Sequence, residues 1–184
     1  MPTFASRAGQ KLDHALSAFE IDVNGLVCAD LGCSTGGFVD CLLQRGAAKV
    51  YAVDTAHGAL DWKLRNDLRV IVMERTNAMH ARLPEPVALI TIDVAWTRQR
   101  HILPAAAKML APGGNIVSLL KLHYEAEKKL LRRGLLPIEQ FKSVFQSTSE
   151  DISQAGFTLL AVTPSPIAGS GGNREWLGWL KRQF

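Results

Sequence analysis

The sequence contains no apolar run that approaches the roughly 20 residues needed to cross a bilayer. Its first residues also lack the apolar core of a secretory signal. There are only 3 cysteines, and no two of them are spaced as a Cys-x-x-C pair. An odd number of cysteines in an intracellular chain favours free thiols over disulfides or zinc ligands. We therefore expect a cytoplasmic protein that has no membrane partner and needs no metal.

Length and composition are those of an ordinary globular domain. At 184 residues the chain is long enough for a sizeable core, and we expect residues 1–184 to form a single domain. Hydrophobic residues make up 47% and charged residues 21%. The net charge is +4 and the isoelectric point is about 9.1. This mild positive charge is compatible with a polyanionic partner such as RNA, although many enzymes of neutral substrates are equally basic.

A glycine-rich turn follows the first strongly apolar run. Residues 26–31 have the pattern of a buried strand with Asp30 near its end, and a helical pattern opens at about Phe38. The turn between them contains Gly32, Ser34, Gly36 and Gly37. Glycines let a backbone approach a ligand closely, and a helix N-terminus offers unpaired N–H groups. This strand, turn and helix therefore predict a ligand site.

The spacing within the turn favours one ligand. A dinucleotide fingerprint, G-x-G-x-x-G, would have glycine where Ser34 stands. An acid such as Asp30 beside glycine N–H groups instead suits S-adenosylmethionine, which carries both an ammonium and a carboxylate. A nicotinamide or flavin nucleotide, or a turn with a purely structural role, remains an alternative because single motifs are loose.

Hydrophobic periodicity predicts strands alternating with helices along the chain. Strands are expected at residues 26–31, 49–53, 70–73, 87–93, 115–120, 157–163 and 175–181, and helices at 6–21, 38–45, 98–111, 126–133 and 137–156. Such alternation gives a mostly parallel sheet with helices on both faces. A loop without a helix, residues 164–173, joins the last two strands, which predicts an antiparallel edge there. We therefore expect an α/β fold with the seven-stranded sheet of the Rossmann-like class I methyltransferases.

Polar residues follow two of these strands at the edge where ligands bind. In an open α/β sheet this is the carboxyl edge, and an acid about 20 residues after the glycine turn can accept hydrogen bonds from ribose hydroxyls. Asp54 has that spacing, although it could also be a simple loop acid. Asn77, after the third strand, either reaches a base or holds its loop by an Asx turn.

Four charged residues are predicted to meet at the same edge: Lys11, Asp93, Lys121 and Glu175. A buried lysine is a poor base at neutral pH unless desolvation or a second cation favours its neutral form. Each of the two lysines could act as the second cation for the other, and the two acids would hold the ammonium groups in place. Such a site could deprotonate or orient a sugar hydroxyl that attacks a methyl sulfonium in line. Each residue also has a plain alternative as a solvated or structural charge.

The order of these four residues resembles the K-D-K-E tetrad of the FtsJ-like ribose 2′-O-methyltransferases. The chain is most similar to their hemolysin A (TlyA) branch, whose motifs resemble the stretches SRAGQKL, DLGCSTGGFVDCLLQRGAAKVYAVD, ERTNA and PSPIAGSGGNREW. The resemblance runs from about Ser6 to Lys181. It implies methyl transfer from S-adenosylmethionine to a ribose 2′-hydroxyl of ribosomal RNA.

The resemblance also implies roles for single residues. Lys121 would be the central catalytic residue, and Lys11, Asp93 and Glu175 would support it. The cofactor site would be lined by Gly32, Ser34, Gly36, Gly37, Asp54 and Asn77. The glycine turn and the fourth strand add three further candidates to this site, Asp30, Phe38 and Asp93.

The chain departs from the branch at positions beside the expected reacting centre. The branch favours Ser-Phe after its second tetrad residue, where this chain has Ala95 and Trp96. It favours Pro-Gln after the central lysine, where this chain has Leu122 and His123, although Glu125 is kept. The branch usually begins with a small S4-type RNA-binding domain, and this chain starts without one. These departures predict altered substrate docking or weakened catalysis.

Other functions compete with an RNA methyltransferase. A cytosine C5 enzyme needs a cysteine nucleophile, typically in a Pro-Cys pair, and no proline precedes a cysteine here. An amino-methyltransferase usually has an Asn/Asp-Pro-Pro-Tyr motif, which is absent. Two alternatives remain: a small-molecule methyltransferase, and a non-catalytic module that binds S-adenosylmethionine or RNA. Salt-sensitive RNA binding would distinguish an RNA methyltransferase from a small-molecule enzyme. The sequence indicates neither the target nucleotide nor the oligomeric state.

Overall fold

A computed structural model describes residues 3–169 and 171–183, so Ser170 of the predicted 164–173 loop lies outside the described residues. The strands are β1 Val27–Leu31, β2 Lys49–Val53, β3 Val70–Met73, β4 Val87–Ile92, β5 Leu110–Leu120, β6 Phe157–Pro164 and β7 Trp176–Arg182. The helices are α1 Ala8–Ala18, α2 Gly37–Gln44, α3 Trp62–Arg65, α4 Gln99–Met109, α5 Leu122–Glu125 and α6 Phe141–Gln154. Two short 3₁₀ turns cover Lys128–Leu130 and Ile138–Gln140.

The seven strands form one sheet in the order β3-β2-β1-β4-β5-β7-β6. The first five of these are parallel to their neighbours, and β7 runs antiparallel to both β5 and β6. The predicted seven-stranded, mostly parallel α/β sheet is confirmed. Strand order reverses between β1 and β4, which creates the crevice where open α/β sheets bind ligands.

Helices cover both faces of the sheet, because its central strands β1, β2 and β4 are apolar and buried on both sides. On one face α1 and α2 bury Leu12, Leu16 and Leu42 against the sheet. On the other face α4 and α6 bury Ile102, Leu103 and Ile152. The cysteines are buried free thiols as expected, and burial raises the pKa of the Cys28 and Cys41 thiols to about 12.

The helix expected at residues 126–133 is wrong. Four-residue α5 precedes this segment, and only the 3₁₀ turn Lys128–Leu130 forms within it. A helix there would place Lys128 beside Arg132 and Lys129 beside Arg133, and like charges four residues apart repel. Instead Lys129 pairs with the carboxylate of Glu127 at 2.8 Å.

The fifth strand is longer than expected. It begins at Leu110, which pairs with Val87, and the register then jumps so that Asn115 pairs with Leu89. The Pro-Gly-Gly stretch, residues 112–114, is therefore an irregularity within β5. Gly113 has φ +75°, a conformation that glycine adopts without a Cβ penalty.

Within the described residues, every helix is too short or too polar to cross a membrane.

Candidate active site

Gly32 brings the ends of β1 and β4 together. It has φ +88°, and a Cβ atom at this position would lie 2.6 Å from the carbonyl oxygen of Asp93. Ser34 has φ +47°, and its N–H donates to Oδ2 of Asp54 at 2.8 Å. The glycine turn is therefore fixed to the end of β2 by a carboxylate and to the end of β4 by close backbone packing.

Two cavities meet at this turn. The larger, of about 520 Å³, lies at the carboxyl ends of the parallel strands. The smaller, of about 130 Å³, lies between the turn and the start of α1. Of the residues predicted to bind cofactor, the larger cavity is lined by Gly32, Ser34, Asp54, Asn77 and Asp93. The smaller cavity is lined by Asp30, Gly32, Ser34, Gly37, Phe38 and Asp93.

Gly36 lines neither of these two cavities. A Cβ atom at this position would overlap the side chains of Leu60 and Leu64. Its φ of +98° turns the chain into α2. Gly36 therefore allows close packing behind the turn, which is a different task from the ligand contact predicted for it.

Asp30 is a buried acid with an unsatisfied oxygen. Its Oδ1 accepts a hydrogen bond from Thr91 Oγ1 at 2.6 Å, while its Oδ2 is buried without a partner among the described residues. Burial raises the pKa of Asp30 to about 8, and the charges of Asp93 and Asp54 act in the same direction. A buried oxygen of this kind beside a cavity is suited to a ligand that donates hydrogen bonds or carries positive charge.

Asp54 and Asn77 are held in place by local backbone contacts. Besides Ser34, Asp54 accepts from the N–H of Ala56 at 2.8 Å through Oδ1. Asn77 accepts from the N–H of Met79 at 2.9 Å, so it holds its loop by the predicted Asx turn while lining the larger cavity. Both side chains face the site in a fixed orientation.

The four tetrad residues form two ion pairs. Lys121 Nζ lies 2.6 Å from Asp93 Oδ1, and Lys11 Nζ lies 2.5 Å from Glu175 Oε2. Leu120 pairs with Trp176 at the end of the β5–β7 ladder, so Lys121 and Glu175 occupy the next facing position. The register therefore brings Lys121 and Glu175 together, and the two ion pairs place Asp93 and Lys11 beside them.

The two pairs differ in exposure. Lys11 and Glu175 are only 7% and 6% exposed, and Gly169 packs so closely on Glu175 that a Cβ atom would overlap its carboxylate. Lys121 is half-buried, lines the larger cavity and also donates to the carbonyl of Val94 at 3.4 Å. Lys121 is thus the tetrad lysine that can reach a ligand in the larger cavity.

An aromatic cluster beside Lys121 is not predicted by the motifs. The ring centroids of Trp96 and Tyr124 are 4.8 Å apart, and those of Tyr124 and His123 are 4.1 Å apart. Lys121 Nζ lies 5.8 Å from the Tyr124 ring centroid. Burial lowers the pKa of His123 and so favours its neutral imidazole. The signal that could have found the cluster is the pair His123-Tyr124, which lies two and three positions after the strand-end Lys121.

Glu125 fixes the start of α4, next to the segment that carries Trp96. Its Oε1 accepts from the backbone N–H of Gln99, the first residue of α4, at 2.9 Å. Burial raises the pKa of Glu125 to about 7. Because a carboxylate at a helix N-terminus satisfies an otherwise free N–H group, Glu125 ties α5 to the start of α4.

The geometry agrees with the comparison to known families. A sequence profile described as "FtsJ-like methyltransferase" matches residues 4–182. The chain belongs to the FtsJ-like methyltransferase family. The expected family resemblance is therefore confirmed over nearly the whole chain.

Individual relatives of this FtsJ-like chain are bacterial. The "16S/23S rRNA (cytidine-2′-O)-methyltransferase TlyA" of Mycobacterium tuberculosis is 38% identical over 187 residues, which cover 98% of this chain and 69% of the relative. "Hemolysin A" of Brachyspira hyodysenteriae is 38% identical over 180 residues, 95% of this chain and 75% of the relative. Relatives at 38% identity are longer, and this chain spans between 64% and 75% of their length.

Solved structures share the fold of this FtsJ-like chain. A "putative hemolysin" from Streptococcus thermophilus superimposes with a TM-score of 0.95 at 36% identity, covering 100% of this chain and 68% of that one. More distant S-adenosylmethionine-dependent methyltransferases, at 15% and 18% identity, have TM-scores of 0.70 and 0.68. These distant neighbours identify the Rossmann-like methyltransferase fold alone.

Proposed function

We propose that this chain transfers a methyl group from S-adenosylmethionine to a ribose 2′-hydroxyl of ribosomal RNA. The observation that carries this proposal is the position of Lys121, which is paired with Asp93 and lies between the larger cavity and the aromatic cluster. The names of the TlyA relatives support ribosomal RNA as the substrate class. We propose further that residues 1–184 act as one methyltransferase domain.

The cavities fit S-adenosylmethionine. A volume of about 520 Å³ is typical of a small-molecule site, and Asp54 on its wall has room on its carboxylate to accept ribose hydroxyls. The unsatisfied oxygen of Asp30 beside the smaller cavity is suited to the ammonium of the methionine moiety. When bound, this cofactor supplies an electrophilic methyl group on a sulfonium.

Lys121 contacts the 2′-hydroxyl in the proposed mechanism. Its Nζ, held by Asp93, orients the hydroxyl for in-line attack; it accepts the hydroxyl proton only after losing one of its own, because an ammonium group has no lone pair to receive a proton. Lys11 and Glu175 form the buried pair behind them and hold the end of β7 at the site. The reaction breaks the sulfur–methyl bond, forms an oxygen–methyl bond and releases the hydroxyl proton.

The departures from the family pattern leave both ion pairs in place. Trp96 and His123 occupy altered positions, yet both lie against Tyr124 and the pair of Lys121 with Asp93 is formed. An aromatic surface beside the reacting centre suits a nucleobase, because bases stack on aromatic side chains when single-stranded RNA is recognised. We therefore favour RNA over a small-molecule substrate and over a non-catalytic module.

The test is transfer of labelled methyl from S-adenosylmethionine to purified ribosomal subunits and to free ribosomal RNA. The expected result is label in RNA at a linkage that resists alkaline cleavage, because a 2′-O-methyl group removes the attacking hydroxyl. Label that appears in RNA at an alkali-sensitive linkage would point to base methylation. Absence of label from RNA, together with clear cofactor binding, would contradict the proposed substrate.

A further inference from the structure

A third cavity, of about 680 Å³, opens beside the aromatic cluster. One wall is the segment 123–135 and the opposite wall includes Gly171 and Asn173. Trp96 lines both this groove and the 520 Å³ cavity, so the two spaces meet at one side chain. The groove is therefore continuous with the candidate active site.

The charged side chains that line the groove are all basic. They are Arg98, Lys128 and Arg133, and no acidic residue lines it in the described part of the chain. Their neighbours Lys129 and Arg132 are instead paired with Glu127 and Glu139, at 2.8 Å and 3.2 Å. Across residues 3–169 and 171–183, the three groove cations take part in no ion pair. The lining of the groove therefore presents net positive charge to an anionic ligand.

The backbone is strained at two residues that line the groove, Trp96 and Arg133. Trp96 has φ +59° and is 83% exposed, although bulky residues rarely adopt this conformation. Arg133, φ +51°, and Gly134, φ +80°, form a tight hairpin turn closed by reciprocal hydrogen bonds between Arg132 and Leu135. Such turns prefer Asn-Gly or Asp-Gly, so arginine at the first position is an unfavourable choice for folding alone. Strain of this kind concentrates at ligand sites.

Asn173 fixes the hairpin to the loop that leads into β7. It is 8% exposed, its Oδ1 accepts from the N–H of Leu136 at 3.1 Å, and its Nδ2 donates to the carbonyl of Gly134 at 3.0 Å. It also stands two residues before Glu175. The groove is thus held in a defined position relative to the tetrad before any ligand binds.

We propose that this groove binds the single-stranded RNA nucleotides that flank the methylated ribose. Arg98, Lys128 and Arg133 contact their phosphates, and the apolar side chains of Leu131 and Leu135 together with Tyr124 provide surface for their bases. This assignment rests on the proposed RNA methyltransferase function and adds where the RNA lies. The groove adjoins the active-site cavity at Trp96, and its charged lining residues are all basic; these two features favour RNA over a peptide as the ligand.

The experiment measures binding of a fluorescein-labelled single-stranded RNA of about ten nucleotides, a length within the site size of such grooves, by fluorescence anisotropy. The variants are Lys128→Glu and Arg133→Glu, both at exposed positions where the charge reversal leaves the core intact. The matched control is Lys108→Glu, which reverses the charge of another exposed lysine. Lys108 lies in the last turn of α4, at the opposite end of the helix from the groove residue Arg98. Affinity for S-adenosylmethionine is measured for every variant.

Each groove variant is expected to weaken RNA binding about tenfold and to reduce the slope of log affinity against log salt by about 0.7 for each phosphate that is no longer neutralised. The control is expected to bind RNA as the unmodified protein does, and cofactor affinity should not change.

RNA binding that is unchanged in both groove variants would overturn the groove assignment. If methyl transfer to ribosomal RNA persists in that case, the proposed function stands without this groove. If the unmodified protein binds no RNA and methylates none, both proposals fail.

Discussion

Replacing Asp30 with asparagine should change how the stability of the protein depends on pH. The folded protein holds this carboxyl at a pKa of about 8, against an ordinary value of 3.8, chiefly because it is buried. The folded state therefore binds the proton more tightly than the unfolded chain does. Stability due to this group is complete below about pH 4 and is lost as the pH rises towards 8.

The size of the effect follows from the pKa difference. Each pH unit between about 4 and 8 removes about 1.4 kcal/mol of unfolding free energy, and the loss levels off once the folded carboxyl ionises. Between pH 5 and pH 7 the native protein should therefore lose about 3 kcal/mol relative to Asp30→Asn. The asparagine amide will leave its own buried donor unsatisfied, but that penalty does not vary with pH.

The assay is urea unfolding of both proteins at several pH values from 5 to 8. The difference between their unfolding free energies should grow steadily in favour of Asp30→Asn as the pH rises. Saturating S-adenosylmethionine should flatten this trend, because a bound ammonium stabilises the ionised carboxylate of Asp30. Two parallel stability curves in the absence of cofactor would refute the assignment of Asp30 as a buried, protonated acid.

Three further substitutions test the site. Gly169→Ala places a methyl group against the Glu175 carboxylate and displaces it from Lys11, so turnover should fall about 10- to 100-fold and the melting temperature should fall as well; normal turnover of the folded variant would show that the position of this carboxylate is unimportant. Asp54→Ala removes the acceptor that holds Ser34, so calorimetry should show about 10- to 100-fold weaker binding of S-adenosylmethionine. An unchanged dissociation constant would show that Asp54 is not part of the cofactor site. Glu125→Gln keeps the cap on α4 but removes a carboxyl with a pKa near 7. The stability of the variant relative to the native protein should therefore rise between about pH 4.5 and pH 7 and level off above pH 7, and a pH-independent difference would contradict the raised pKa of Glu125.

Much of the fold could be predicted because local pattern and burial agree. The strands Lys49–Val53 and Val70–Met73 have the predicted boundaries, since each is an apolar run between polar turns. The segment 126–133 differs from its predicted helix because its composition suits a helix while its charges repel at helical spacing. Propensity alone does not show where such charges find their partners, and the acid that pairs with Arg132 is Glu139, in the next turn.

The candidate site was predictable where it follows from strand ends, and less so where it depends on packing. Asp54, Asp93 and Lys121 each follow a parallel strand, so the topology brings them to one edge. The glycines of the turn have different roles: Gly32 lines the cavities, whereas Gly36 allows close packing against Leu64. Their spacing in the sequence does not reveal this difference. The aromatic cluster and the basic groove depend on how residues 122–135 fold back, and no periodic pattern encodes that path.

The central claim is tested most directly by Lys121→Ala in a paired measurement of methyl transfer and cofactor binding. Labelled S-adenosylmethionine is incubated with ribosomal RNA and either protein, and cofactor affinity is measured separately by calorimetry. The account predicts that transfer to alkali-resistant linkages falls at least about 100-fold in the variant, while the dissociation constant of S-adenosylmethionine is nearly unchanged. Undiminished transfer by the Lys121→Ala protein would contradict the proposed role of this lysine.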